Sequence, residues 1–105
     1  MPASLDTLAR ADFATLEGQT LALEWAEGQT TPATLRQVRS LGYHRPPDAG
    51  GRESFRFLLE IAPTFTLPQR IYALHHPTLG RIELFLVPIA RDAAALKLEA
   101  IFNFA

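Results

Sequence analysis

The sequence contains no cysteine. That excludes disulfide staples, cysteine-ligated zinc and a thiol nucleophile. It also has no Gly-x-Ser-x-Gly elbow, and no local motif marks Ser4, Ser40 or Ser54 as an activated nucleophile. Gly50-Gly51 is not followed by Lys-Ser or Lys-Thr, so there is no phosphate-cradling loop. No apolar run approaches the ~20 residues that span a bilayer. The first residues, MPASLDTLARADF, carry acids and lack the apolar core of a signal peptide, so the expected compartment is the cytoplasm. Neither sign of charge dominates. The formal net charge is −1, so no overall basic field draws the chain to nucleic acid or to an anionic membrane.

What is present fits a turn-rich globular chain. Of the 105 residues, 48% are hydrophobic and 20% charged, with 8 prolines and 6 glycines. A chain of this length forms a single domain, residues 1–105, and buries enough apolar surface to fold without staples. Its organising stretch is 69–90, QRIYALHHPTLGRIELFLVPIA. Two runs rich in β-branched and aromatic residues flank His76-Pro77-Thr78-Leu79-Gly80, where a proline fixes φ and a glycine accepts φ > 0. That pattern predicts a β-hairpin. Its second arm is apolar on both faces, which predicts a strand in the middle of a small β domain.

The rest of the chain follows the same logic. Leu5, Leu8, Ala9, Phe13 and Leu16 fall near helical spacing, with Ser4 or Asp6 as N-cap, Asp12 as cap of a second turn and Gly18 past the end. One or two short N-terminal helical turns are expected. Leu21, Leu23 and Trp25 alternate along one strand face. Between Pro32 and Leu41 the offset of Leu35 from Val38 breaks strict alternation, as a bulge or a change of facing would. Residues 42–52, with paired prolines and then paired glycines, predict a long loop. After it, Phe55, Phe57, Leu59 and Ile61 face one way, and Ser54, Arg56, Leu58 and Glu60 the other. Asp92-Ala93-Ala94-Ala95 makes a further break, and Leu96, Leu98, Ala100, Phe102 and Phe104 alternate to the terminus. Six such strands predict an all-β domain, a small six-stranded antiparallel barrel or sandwich.

Chemistry-bearing residues are sparse. His75-His76 could join His44 and Asp48 at a metal, but neighbours on a strand point to opposite faces. One histidine facing out and one supporting the turn before Pro77 is the expectation, with no metal and no cofactor. Glu53, Glu60, Glu83 and Glu99 alternate with apolar residues and are expected on the solvent face. Arg36, Arg39, Arg45 and Arg52 cluster in or beside the 42–52 loop with Tyr43, a basic and aromatic group of the kind that binds single strands on small barrels. Glu24, Asp48 and Glu53 dilute it. A loop carrying Tyr43, His44, Arg45 and Arg52 is equally suited to protein contact.

Four segments carry a resemblance: Asp12-Phe13-Ala14-Thr15-Leu16-Glu17-Gly18, then Tyr72 to Gly80, then Leu84-Phe85-Leu86-Val87-Pro88-Ile89, and a closing Ala100-Ile101-Phe102-Asn103. Together they resemble an uncharacterised family of small bacterial all-β domains, loosely associated with phage-tail-collar-like proteins. The shared positions are mainly hydrophobic and turn residues, so they bear on the fold and bring no catalytic residue. The resemblance implies a structural or assembly role beside tail-like particles. The expected function is therefore a non-catalytic protein-interaction or assembly module, with Tyr43, His44, Arg45 and Arg52 as its partner-binding residues. The alternatives are a ligand-binding or enzymatic barrel using the 42–52 loop and His75 or His76, and a single-stranded nucleic-acid binder.

Overall fold

A computed structural model describes residues 10–44 and 53–102, with the side chains of all but 10, 11, 42–44 and 53. The elements are a short helix α1 (Arg10–Ala14) and six strands, β1 (Thr20–Ala26), β2 (Gln29–His44), β3 (Glu53–Ile61), β4 (Arg70–His76), β5 (Gly80–Arg91) and β6 (Leu96–Phe102). The strands close into an antiparallel barrel in the order β1-β2-β3-β6-β5-β4, so barrel rather than sandwich is the architecture. Closure removes every sheet edge, which matters for a chain this rich in apolar strands. Among the described residues no helix is long and apolar enough to cross a membrane.

Two long strands turn the corners. β2 pairs with β1 through Thr34 and with β3 from Thr34 onward. β5 pairs with β4 up to Leu86 and with β6 from Val87. The broken alternation in β2 is a bulge: the register with β3 shifts between Arg36 and Arg39, and Gln37 takes φ 55°. The Val38 amide, displaced from the ladder, donates instead to Glu17 Oε1 at 3.0 Å. The helical turn and the bulge therefore hold each other, helped by Gly18 N donating to Leu35 O at 2.7 Å.

Alternation fills the interior. Leu23, Leu35, Phe55, Phe57, Leu59, Leu74, Ile82, Leu86 and Leu98 are wholly or almost wholly buried. Phe13, from α1, closes one end of the barrel: its ring centroid lies 4.9 Å from that of Phe57 and 5.4 Å from that of Phe102. The other end is closed by the connection between β3 and β4. These strands lie on opposite sides of the barrel, so residues 62–69 must cross its mouth. Leu67 is buried there and Phe65 half-buried against Trp25.

The structure departs from the sequence expectations in four places. The strand β2 runs through His44, which pairs with Glu53, so residues 42–44 belong to the strand and not to the expected loop. Ladder pairing uses only backbone groups, and Gly42-Tyr43-His44 supply them. Asp12 lies inside α1 rather than ahead of a second turn. Leu58 and Ser54 are buried although they point away from the lumen. Arg36 and Glu99 flank Leu58 in the register, and long charged side chains cover apolar neighbours with their stems. Finally, β5 is not covered on both faces: its outer wall is open, and Phe85 and Ile89 are exposed on it. The proposed caps Ser4 and Asp6, and Phe104, lie outside the described residues.

Candidate functional site

The β4–β5 turn fixes both histidines. His76 Nδ1 accepts the amides of Thr78 and Leu79, each at 3.1 Å, so its ring proton sits on Nε2. Gly80, at φ 77°, completes the reversal. His76 is thus the turn-supporting histidine. His75 points outward, opposite Arg81 on β5 and Ala22 on β1. Its Nε2 lies 3.0 Å from Glu24 Oε1. That contact crosses the seam that closes the barrel, between residues far apart in the chain, and no local sequence signal announces it. Around these groups an open cleft of about 480 Å³ is lined by Thr20, Leu21, Ala22, Pro77, Gly80 and Arg81 with the two histidines. Arg81 donates to Glu83 at 2.8 Å, so its charge is answered on its own strand. Among the described residues no three of His, Cys, Asp or Glu gather as metal ligands.

The arginines expected to form a basic patch are neutralised where they are described. Arg36 Nε contacts Glu60 at 3.2 Å, and Arg39 lies 3.8 Å from Glu17. Both pairs are largely solvated and worth about 0–1 kcal/mol each. Of the predicted partner-binding residues, Tyr43 and His44 belong to β2, with their side chains outside the described set. Arg45 and Arg52 lie outside the described residues altogether.

Two features of the surface escaped sequence reasoning. The first is apolar. Ile71 on β4 lies directly opposite Phe85 on β5, and both point away from the lumen, 64% and 51% exposed. Val87, half-buried on the same wall, pairs with Glu99 of β6, and Ile101, two positions along, is 56% exposed. Scattered exposed hydrophobics are ordinary, whereas neighbours on three adjacent strands form a patch. A signal existed in β5, which reads apolar at both parities.

The second feature lies at the mouth crossed by 62–69. Trp25 and Phe65 meet edge to face with centroids 5.4 Å apart. Arg70 donates to Trp25 O at 2.7 Å and lies over the Tyr72 ring, 4.7 Å from its centroid. Arg91 donates to Phe65 O at 2.6 Å and to Thr66 Oγ1 at 3.3 Å. Tyr72 donates to Pro68 O at 2.5 Å, and burial pushes its phenol above the usual range, partly countered by Arg70.

Packing and topology thus define a small closed β-barrel with a filled lumen, whose distinctive groups stand on its outside and at its ends. A family model described as Domain of unknown function (DUF6916) matches residues 8–102, nearly the whole chain, and the protein belongs to that family. No curated protein and no solved structure matches it.

Proposed function

We propose that this barrel is a non-catalytic protein-interaction module whose contact face is the outer wall of β4, β5 and β6. The observation that carries the reading is the row Ile71, Phe85 and Ile101, exposed together on a barrel whose interior is already full. Apolar neighbours left in water gain stabilisation when a partner covers them, at about 25 cal/mol per Å² of apolar area. The lumen offers a ligand no comparable opportunity, since Phe and Leu side chains occupy it. The finer setting, assembly beside a phage-tail-like particle in a bacterium, rests on the family resemblance alone. Tyr43, His44, Arg45 and Arg52 are proposed, on the sequence alone, as a second contact.

The cleft beside His75 supports a second reading, a small-ligand or enzymatic site. It is favoured by the His75–Glu24 contact and by His76 Nε2–H, a donor with no partner among the described residues. A single experiment tests the interaction face. Affinity capture from cells that make the protein, followed by mass spectrometry, compares the native chain with an Ile71→Thr/Phe85→Thr/Ile101→Thr variant. Loss of specific partners at unchanged circular dichroism supports the interaction face. Equal recovery by both proteins rejects it, and binding then belongs elsewhere.

A further inference from the structure

Arg70 and Arg91 differ from the other described arginines that stand near acids. Neither makes an ion pair with any carboxylate among the described residues, whereas Arg36, Arg39, Arg56 and Arg81 all do. The nearest acid in sequence, Asp92, is turned away: its Oδ1 accepts the amides of Ala94 and Ala95 at 2.8 and 2.9 Å. Both guanidiniums are exposed, yet each is held in place by a backbone carbonyl, Trp25 O for one and Phe65 O for the other. Those two carbonyls belong to the residues whose rings touch. The mouth of the barrel therefore presents a half-buried Trp–Phe pair with a fixed, unneutralised guanidinium anchored on each partner. A guanidinium held to the backbone through one nitrogen, Nη2 in both, keeps the rest of its planar fork for a carboxylate. Tryptophan and arginine are also the residues that most often carry binding energy at interfaces.

We propose that this end of the barrel docks an acidic segment of a partner protein, with carboxylates on Arg70 and Arg91 and an apolar side chain against the Trp25–Phe65 pair. The proposal rests on the interaction-module reading and adds to it a further contact and the charge of what fills it. Ile71, next to Arg70, leads directly from this end onto the apolar wall, so one partner can engage both. An acidic peptide fits better than a nucleic-acid strand. Two guanidiniums make a point of charge rather than a track, and the described arginines of β2 are already neutralised.

Trp25 is the only tryptophan in the chain, so its fluorescence reports this end alone. The probe is a synthetic peptide of alternating Glu and Asp around one Leu. Its companions are the same peptide with Gln and Asn in place of the acids, and oligothymidine. The acidic peptide should shift Trp25 emission saturably, with an affinity that weakens as salt is added. Arg70→Gln/Arg91→Gln should weaken binding about tenfold or more, through loss of charge-assisted hydrogen bonds. Arg36→Gln/Arg39→Gln should leave binding unchanged. If Arg70→Gln/Arg91→Gln unfolds, Arg70→Lys/Arg91→Lys replaces it, and weaker binding by the folded lysine variant supports the forked contact. Absence of a saturable shift, equal binding of the neutral peptide, tighter binding of oligothymidine, or arginine variants that bind as well as the native chain would each overturn the proposal. A failure here alongside partner loss in the Ile71/Phe85/Ile101 variant refutes only the acidic contact and leaves the interaction module standing.

Discussion

Phe57 sits where three elements meet. It is fully buried at the centre of β3, within 4.9 Å of Phe13 and 5.8 Å of Phe102, centroid to centroid. Removing the ring leaves a cavity that α1, β3 and β6 cannot all close, so Phe57→Ala should cost roughly 3–5 kcal/mol. Urea unfolding measures it, and a loss below about 1 kcal/mol would place the ring outside the core. Single residues also show where sequence reading succeeds and stops. Phe57 was legible because strict alternation assigns faces. That one of His75 and His76 supports the turn was legible because Pro77 and Gly80 follow the pair, whereas which of the two does so was not. The partnership of His75 with Glu24, and of Arg70 with Trp25 O, was not, because each joins strands whose adjacency is decided only when the barrel closes.

At the level of elements, the β5–β6 turn depends on one carboxylate. Asp92 Oδ1 accepts two amides, and these hydrogen bonds, with a smaller contribution from Lys97, hold its carboxyl below the usual aspartate range. A carboxyl whose folded pKa is depressed adds stability above its unfolded pKa and loses it as pH falls through the folded value. The turn should therefore weaken below about pH 4. Asp92→Asn, which cannot titrate, should narrow the gap in melting temperature between pH 7 and pH 3, and an unchanged gap would remove Asp92 from the acid response. The sequence marked this stretch as a break without revealing the reason, since the bonding depends on backbone geometry. It likewise showed the bulge in β2 through Leu35 and Val38, but not that Glu17 would take up the freed amide. The continuation of β2 to His44 was hidden by the glycine and proline pattern that follows it. That pattern is a sound loop signal, yet it says nothing about where backbone pairing ends.

For the molecule as a whole, the critical event is closure. β1 meets β4 through only three residue pairs, Ala22–His75, Leu23–Leu74 and Glu24–Ala73. The β3–β6 ladder runs without a break from Phe55–Phe102 to Ile61–Leu96. The shorter ladder, bridging the more distant pair of strands, should open first. Native-state hydrogen exchange should find amides of the β1–β4 seam exchanging at lower opening free energy than those of β3 and β6. Equal protection throughout would mean that the barrel opens only by global unfolding. The fold class and strand count were legible because six alternating segments can bury their apolar faces in few ways. The outer apolar wall was half legible. β5 announced two apolar faces, and only closure revealed that nothing in the described chain covers the second.

That uncovered wall carries the functional account, and a photoreactive amino acid placed at Phe85 tests it in the cells that make the protein. A matched probe at Gln37, exposed on β2 away from the wall, serves as the control. The account predicts discrete cross-linked adducts from position 85 that are absent from position 37. No adduct at 85, or the same adducts from both positions, would contradict it.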